Sequence, residues 1–155
     1  MTDITEGQAA PAFDLSTDGD GRVTLAGLKG KSVVLYFYPK ADTPGCTTEG
    51  LDFSALADQF AAANTVVIGV SRDAVKKLDR FKAKHDLKVI LGSDEDGVVC
   101  EAYGTWIMKK LYGREYMGVE RATFLIDGTG VVRRVWRSVK VKGHAEQVLE
   151  AAQSL

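Results

Sequence analysis

The sequence predicts an α/β domain with a mixed central sheet, and three observations carry that prediction. Two β-branched and aromatic runs, "SVVLYFY" (32–38) and "TVVIGV" (65–70), read as strands covered on both faces. Between them Phe53, Leu56, Ala57 and Phe60 recur at the spacing of an amphipathic helix, which completes a right-handed βαβ unit with parallel strands. Later, "RATFLIDGTGVVRRVWR" (121–137) reads as an antiparallel hairpin turning on Asp-Gly.

Taken in chain order, "FDLSTDGDGRVTL" (13–25) gives two short strands around an Asp-Gly turn. Its "DGDG" is a poor calcium loop, because Arg22 stands where a third ligand is needed and no closing Glu follows in register. The βαβ unit comes next. A second helix over about 74–85 buries Val75, Leu78 and Phe81. Its Lys76, Lys77, Arg80, Lys82 and Lys84 interleave with Asp79 and Asp86, as on a solvated face. "KVILGS" (88–93) reads as a short strand and "GVVCEAYG" (97–104) as a short helix. After the 121–137 hairpin, Ala145, Val148, Leu149 and Ala152 mark a closing helix. This order fits a thioredoxin-like fold: a mixed central β-sheet flanked by helices, with an added N-terminal β-hairpin. One domain over 1–155 accommodates it.

The totals exclude several function classes. Twenty basic against twenty-one acidic residues leave a net charge of −1, which argues against a nucleic-acid binder. No apolar run reaches membrane-spanning length, and the polar start "MTDITEG" is neither a signal nor a transit peptide, so a cytoplasmic protein is expected. Two cysteines, Cys46 and Cys100, are too few for a disulfide scaffold. With His85 and His144 they show no ligand spacing, so neither metal nor cofactor is expected.

Cys46 is the residue that needs explaining. Thr43 followed by Pro44 is a helix-start signal, with threonine as N-cap and proline at the first helical position. Cys46 then falls at the third helical position, beside unsatisfied backbone N–H groups whose field favours a thiolate. It lies two turns before Phe53 on the same stripe and so points toward the interior. A buried inert cysteine fits that position, and so does a reactive one. The bare backbone of Gly45 and the hydroxyl of Thr43 suit a small polar substrate. A dithiol exchanger is disfavoured, since C-x-x-C would need cysteine at Glu49.

"YPKADTPGCTTE" (38–49) resembles the active-site signature of the peroxiredoxins, P-x-x-x-T-x-x-C. "PAFDL", "LGSDEDGVVCEAYGTW", "YMGVERATFLIDGTG" and "KVKGHAEQVL" resemble the bacterioferritin comigratory protein, or peroxiredoxin Q, subgroup over nearly the whole chain. The resemblance implies a peroxidase acting on hydrogen peroxide and organic hydroperoxides. Cys46 would be the peroxidatic cysteine that forms a sulfenic acid. Thr43 would hydrogen-bond the peroxide and the thiolate, Pro39 would shield the pocket from water, and Arg121 would favour the thiolate and stabilise the leaving oxygen. Glu49, which also matches the family pattern, would be an orienting group in the first helical turn. Read without the resemblance, Arg121 is a strand-edge surface residue and Glu49 an ordinary helix N-terminal acid.

The usual resolving positions hold Leu51 and Lys82 instead of cysteine. Cys100, between apolar neighbours, reads as structural. The expectation is therefore a one-cysteine enzyme recycled by an external thiol: thioredoxin, a glutaredoxin or glutathione. The subgroup implies a monomer, with a dimer left open. A redox-responsive interaction protein and a chaperone-like role are the rival classes, and the Thr43, Cys46 and Arg121 set favours the enzyme.

Overall fold

The computed structural model describes residues 4–155. Nine strands and five helices follow one another as β1 (Asp14–Thr17), β2 (Gly21–Thr24), β3 (Ser32–Phe37), α1 (Pro44–Ala55), α2 (Ala57–Ala62), β4 (Thr65–Ser71), α3 (Val75–His85), β5 (Ile90–Ser93), α4 (Val98–Ala102), β6 (Trp106–Leu111), β7 (Arg114–Val119), β8 (Ala122–Ile126), β9 (Val132–Trp136) and α5 (His144–Gln153). Seven strands form one sheet in the order β2-β1-β5-β4-β3-β8-β9. β3, β4 and β5 pair in parallel; β8, β9, β1 and β2 join antiparallel. The predicted mixed sheet is present, and the N-terminal hairpin extends it at one edge.

The strand alternation of β3 divides the core in two. Val34 and Tyr36 face one side, where they pack with Cys46, Phe53, Phe60, Leu78, Phe81, Val148 and Leu149 from the α1, α2, α3 and α5 region. Val33, Leu35 and Phe37 face the other, with Phe13, Leu15, Val99, Cys100, Tyr103 and Phe124. The two thiols therefore lie on opposite faces of the sheet. Phe53 fixes α1 to its face by stacking on Tyr36, with ring centroids 4.6 Å apart. Truncating so buried an aromatic costs about 3–5 kcal/mol, so this contact also holds the helix that carries Cys46.

Two local features differ from the sequence reading. The single helix expected through Phe60 is broken at Leu56 (φ −102°, ψ 8°), whose N–H bonds back to Phe53. The apolar stripe continues across the break, because Leu56 and Phe60 still pack into the same core. The second difference is a separate two-stranded sheet, β6–β7, paired from Trp106↔Val119 to Leu111↔Arg114 and turning on Tyr112-Gly113. Its exposed Met108, Leu111, Tyr112, Tyr116 and Met117 give it no buried face to announce the strands. Among the described residues no helix is long and apolar enough to cross a membrane.

Candidate active site

α1 begins where β3 ends, and β8, antiparallel to β3, begins at the same end of the sheet, with Phe37 opposite Ala122. This topology brings Arg121, immediately before β8, onto the first turn of α1. Thr43 has extended backbone (φ −97°, ψ 157°), Pro44 opens the helix, and the Thr47 N–H closes the first turn on the Thr43 carbonyl at 2.8 Å. Cys46 is thus the third helical residue. Its side chain is 2% exposed, in the core below β3.

Arg121 joins the site together. Its Nη2 lies 3.4 Å from Cys46 Sγ, and its Nη1 donates to Glu49 Oε1 at 2.6 Å. The guanidinium reaches the thiol by crossing Gly45, where a Cβ would stand 3.2 Å from Nη2. Any side chain there would press on the cation. Backbone bonds hold Arg121 from behind: its carbonyl accepts from the Val139 N–H at 2.9 Å. The preceding Glu120 accepts from Arg137 Nη2 at 2.6 Å and from the Ser138 N–H at 2.7 Å.

Glu49 departs most from the reading made without the resemblance. It is a buried carboxyl, 1% exposed, and its Oε2 has no hydrogen-bond partner. Burial pushes its pKa up to about 7, against the pull of Arg121 and with a small push from Asp52. Arg121 stays firmly charged, because Glu49 and Cys46 outweigh the burial that acts against its charge. At neutral pH one guanidinium therefore serves a thiol and a carboxyl that is close to half-ionised.

The Thr43 hydroxyl donates to the Lys40 carbonyl at 2.8 Å and makes no cap bond to the helix. Among the described residues the hydrogen bond to Cys46 Sγ comes from Arg121. The first-turn N–H groups of α1 are correspondingly left without a side-chain cap. Pro39 is exposed just past β3.

Sequence reasoning missed Asp73. Its Oδ2 accepts from the Ala41 N–H at 2.7 Å and from Ser71 Oγ at 2.8 Å, which ties the β3–α1 loop to the end of β4. Asp42 on the same loop binds Lys84 and His85 of α3, each at 2.9 Å. These anchors are 32 to 43 residues distant in sequence, and no local pattern marks them.

Cys100 has none of these features. It is fully buried in α4 on the opposite core face, and its backbone N–H donates to the buried Asp94 at 2.7 Å. Burial, reinforced by Asp94, pushes its thiol far up, so it stays protonated.

A family model described as the AhpC/TSA family matches residues 6–135. The putative peroxiredoxin bcp of Coxiella burnetii is 49% identical over 146 residues, 94% of this chain and 97% of that one. Peroxiredoxin Bcp of Bacillus subtilis is 46% identical over 152 residues, 98% and 97% of the two chains. Among solved structures, the bacterioferritin comigratory protein of Xanthomonas campestris, determined in connection with its alkyl peroxide reduction activity, matches with a TM-score of 0.88. The identity is 46%, over 92% of this chain and 90% of that one. A cysteine-to-serine mutant of Xylella fastidiosa PrxQ matches with a TM-score of 0.94 at 40% identity, over 99% and 98% of the chains.

Proposed function

As the chain belongs to the AhpC/TSA family of peroxiredoxins, an enzyme family of thiol peroxidases, we propose that its peroxidase chemistry runs through Cys46 alone and is recycled by an external thiol. The observation that carries this reading is the 3.4 Å contact between Arg121 and Cys46 Sγ at the first turn of α1. A fixed cation and the helix N-terminus favour the thiolate, which is the nucleophile.

The thiolate attacks the terminal oxygen of a hydroperoxide, the S–O bond forms as the O–O bond breaks, and an alkoxide or hydroxide departs. Arg121 stabilises the negative charge developing on that oxygen, and one proton is taken up, so the products are the sulfenic acid and an alcohol or water. The Thr43 hydroxyl oxygen accepts a hydrogen bond from the peroxide O–H, and the uncapped N–H groups of the first turn bind the peroxide oxygens. Glu49 keeps Arg121 aimed along the helix. Pro39 borders the entrance. The alkyl peroxide activity of the Xanthomonas relative makes organic hydroperoxides, besides hydrogen peroxide, natural substrates to assay.

Return to the thiol needs an outside reductant, because Cys100 is buried, protonated and across the sheet. Thioredoxin, a glutaredoxin or glutathione is the class of partner, acting on a monomer in the reducing cytoplasm. The test is the intact mass of reduced protein after one equivalent of hydrogen peroxide. Gain of one oxygen, abolished in Cys46→Ser and retained in Cys100→Ala, is expected. Loss of two hydrogens within a monomer would make Cys100 a resolving thiol, and an unchanged mass would remove Cys46 from the chemistry.

A further inference from the structure

The basic residues of α3 do not form the evenly neutralised, solvated face that the sequence suggests. The two interleaved acids are engaged elsewhere: Asp79 Oδ1 accepts from the Gly19 N–H at 2.8 Å, and Asp86 pairs with Lys88, beyond the helix, at 3.0 Å. Lys82 reaches Asp18 at 2.8 Å. Lys77, Arg80 and Lys84 fall at i, i+3 and i+7, the spacing of one helix face. With Phe81 and Asp42 they line a cavity of about 490 Å³ between α3 and the β3–α1 loop.

The charges of that cavity do not balance. Lys77 pairs with Asp73 at 3.2 Å and Lys84 with Asp42 at 2.9 Å. Arg80 is exposed between them, and among the described residues its guanidinium has no hydrogen bond or ion pair. Like charges three and four residues apart on a helix repel, and no acid of the fold offsets this one. From Lys77 to Lys84 the helix rises about 10 Å, a span too long for one tetrahedral anion and suited to a short chain of phosphates. A guanidinium fork flanked by two ammonium groups matches phosphate oxygens.

We propose that this cavity is a binding site for a di- or triphosphate group, with Arg80 as the central contact and Lys77 and Lys84 toward its ends. Asp42 is its internal competitor. That carboxylate already holds Lys84 and His85, each at 2.9 Å, so a phosphate on Lys84 must draw the ammonium away from it. The site goes beyond the peroxidase reading and stands without it.

The test is calorimetric titration of the reduced, full-length protein with tripolyphosphate, free of divalent metal, at about 0.15 M salt, where charges more than about 8 Å apart are largely screened. One site per chain is expected, with orthophosphate and citrate each weaker by about tenfold or more. Arg80→Gln should weaken binding about tenfold, as for one charge-assisted contact, without lowering the thermal midpoint. Lys76→Gln removes the same charge from the same helix outside the cavity and should change the affinity by less than about twofold. Asp42→Asn should tighten binding, because the competing charge is gone while asparagine still accepts the left-handed backbone of this position (φ 62°). ATP should match tripolyphosphate, since the phosphates alone are held. Absence of saturable binding overturns the proposal. Equal losses in Lys76→Gln and Arg80→Gln also overturn it, because they would mean a diffuse basic surface. So do citrate binding as tightly as tripolyphosphate, ATP binding where tripolyphosphate does not, and Asp42→Asn binding more weakly than wild type.

Discussion

Replacing Glu49 by Gln tests the electrostatics of the site without touching the thiol. Glutamine has the shape of a protonated glutamic acid, so the variant imitates a wild type whose Glu49 never ionises. The folded protein holds this carboxyl at about 7, against an ordinary value of 4.5. A raised acid stabilises nothing below its unfolded pKa, where both states carry the proton. Above it the unfolded chain ionises freely and the folded one resists, so stability falls as pH rises from 4.5 to about 7 and then levels off. That displacement corresponds to about 3 kcal/mol in all, most of which falls between pH 5 and pH 8. Urea unfolding of reduced wild type and Glu49→Gln at those two pH values reads it directly, since groups common to both proteins cancel in the difference. The variant should gain on the order of 2 to 3 kcal/mol on wild type between pH 5 and pH 8. Curves that keep the same separation at both values would refute the argument, and would mean that Arg121 fully offsets the burial of the carboxylate.

Other outcomes follow from the same geometry. Arg121→Ala should slow oxidation of Cys46 by about 10²-fold or more, measured by stopped flow with one peroxide, because the donor facing the developing oxyanion is lost. Gly45→Ala should slow the same step by about tenfold while holding or slightly raising the thermal midpoint: alanine suits a helix, but its Cβ displaces a guanidinium that must lie within an ångström of its place. His144 sits buried beside Thr123, hydrogen-bonded at 2.8 Å, and burial lowers its pKa to about 4. Its contribution is complete above pH 6.5 and lost as pH falls toward 4, so the stability gap between wild type and His144→Gln should narrow over that window in acid denaturation.

Legibility in the sequence followed the range of the interactions. The β3 and β4 runs announced themselves because both faces are buried, and Thr43-Pro44 marked the start of α1 because a proline at the first helical position is a local signal. Cys46 could therefore be placed at the third helical position from the sequence alone. Arg121 could not be chosen among twenty basic residues without the family signature, since its partners lie 72 and 75 residues away. Glu49 looked like an ordinary helix N-terminal acid for the same reason: only the sheet and Arg121 reveal that it is buried. The β6–β7 hairpin was missed because "WIMKKL" and "REYMGV" have little burial to impose alternation, and Tyr-Gly is a weak turn signal. The break at Leu56 left no trace because the apolar stripe runs straight through it.

The placement of the two thiols on opposite faces of one sheet has a kinetic consequence. On the proposed one-cysteine cycle there is no unimolecular way back, so the lifetime of oxidised Cys46 would vary inversely with the supply of free thiol around the protein. A second peroxide competes for the same sulfur and carries it to the sulfinic acid, which thiols do not reverse. The fraction of molecules lost per turnover is then the ratio of two bimolecular rates, one fed by peroxide and one by thiol. A wall of seven strands thereby makes survival of the catalyst a running gauge of the balance between oxidant and reductant outside it.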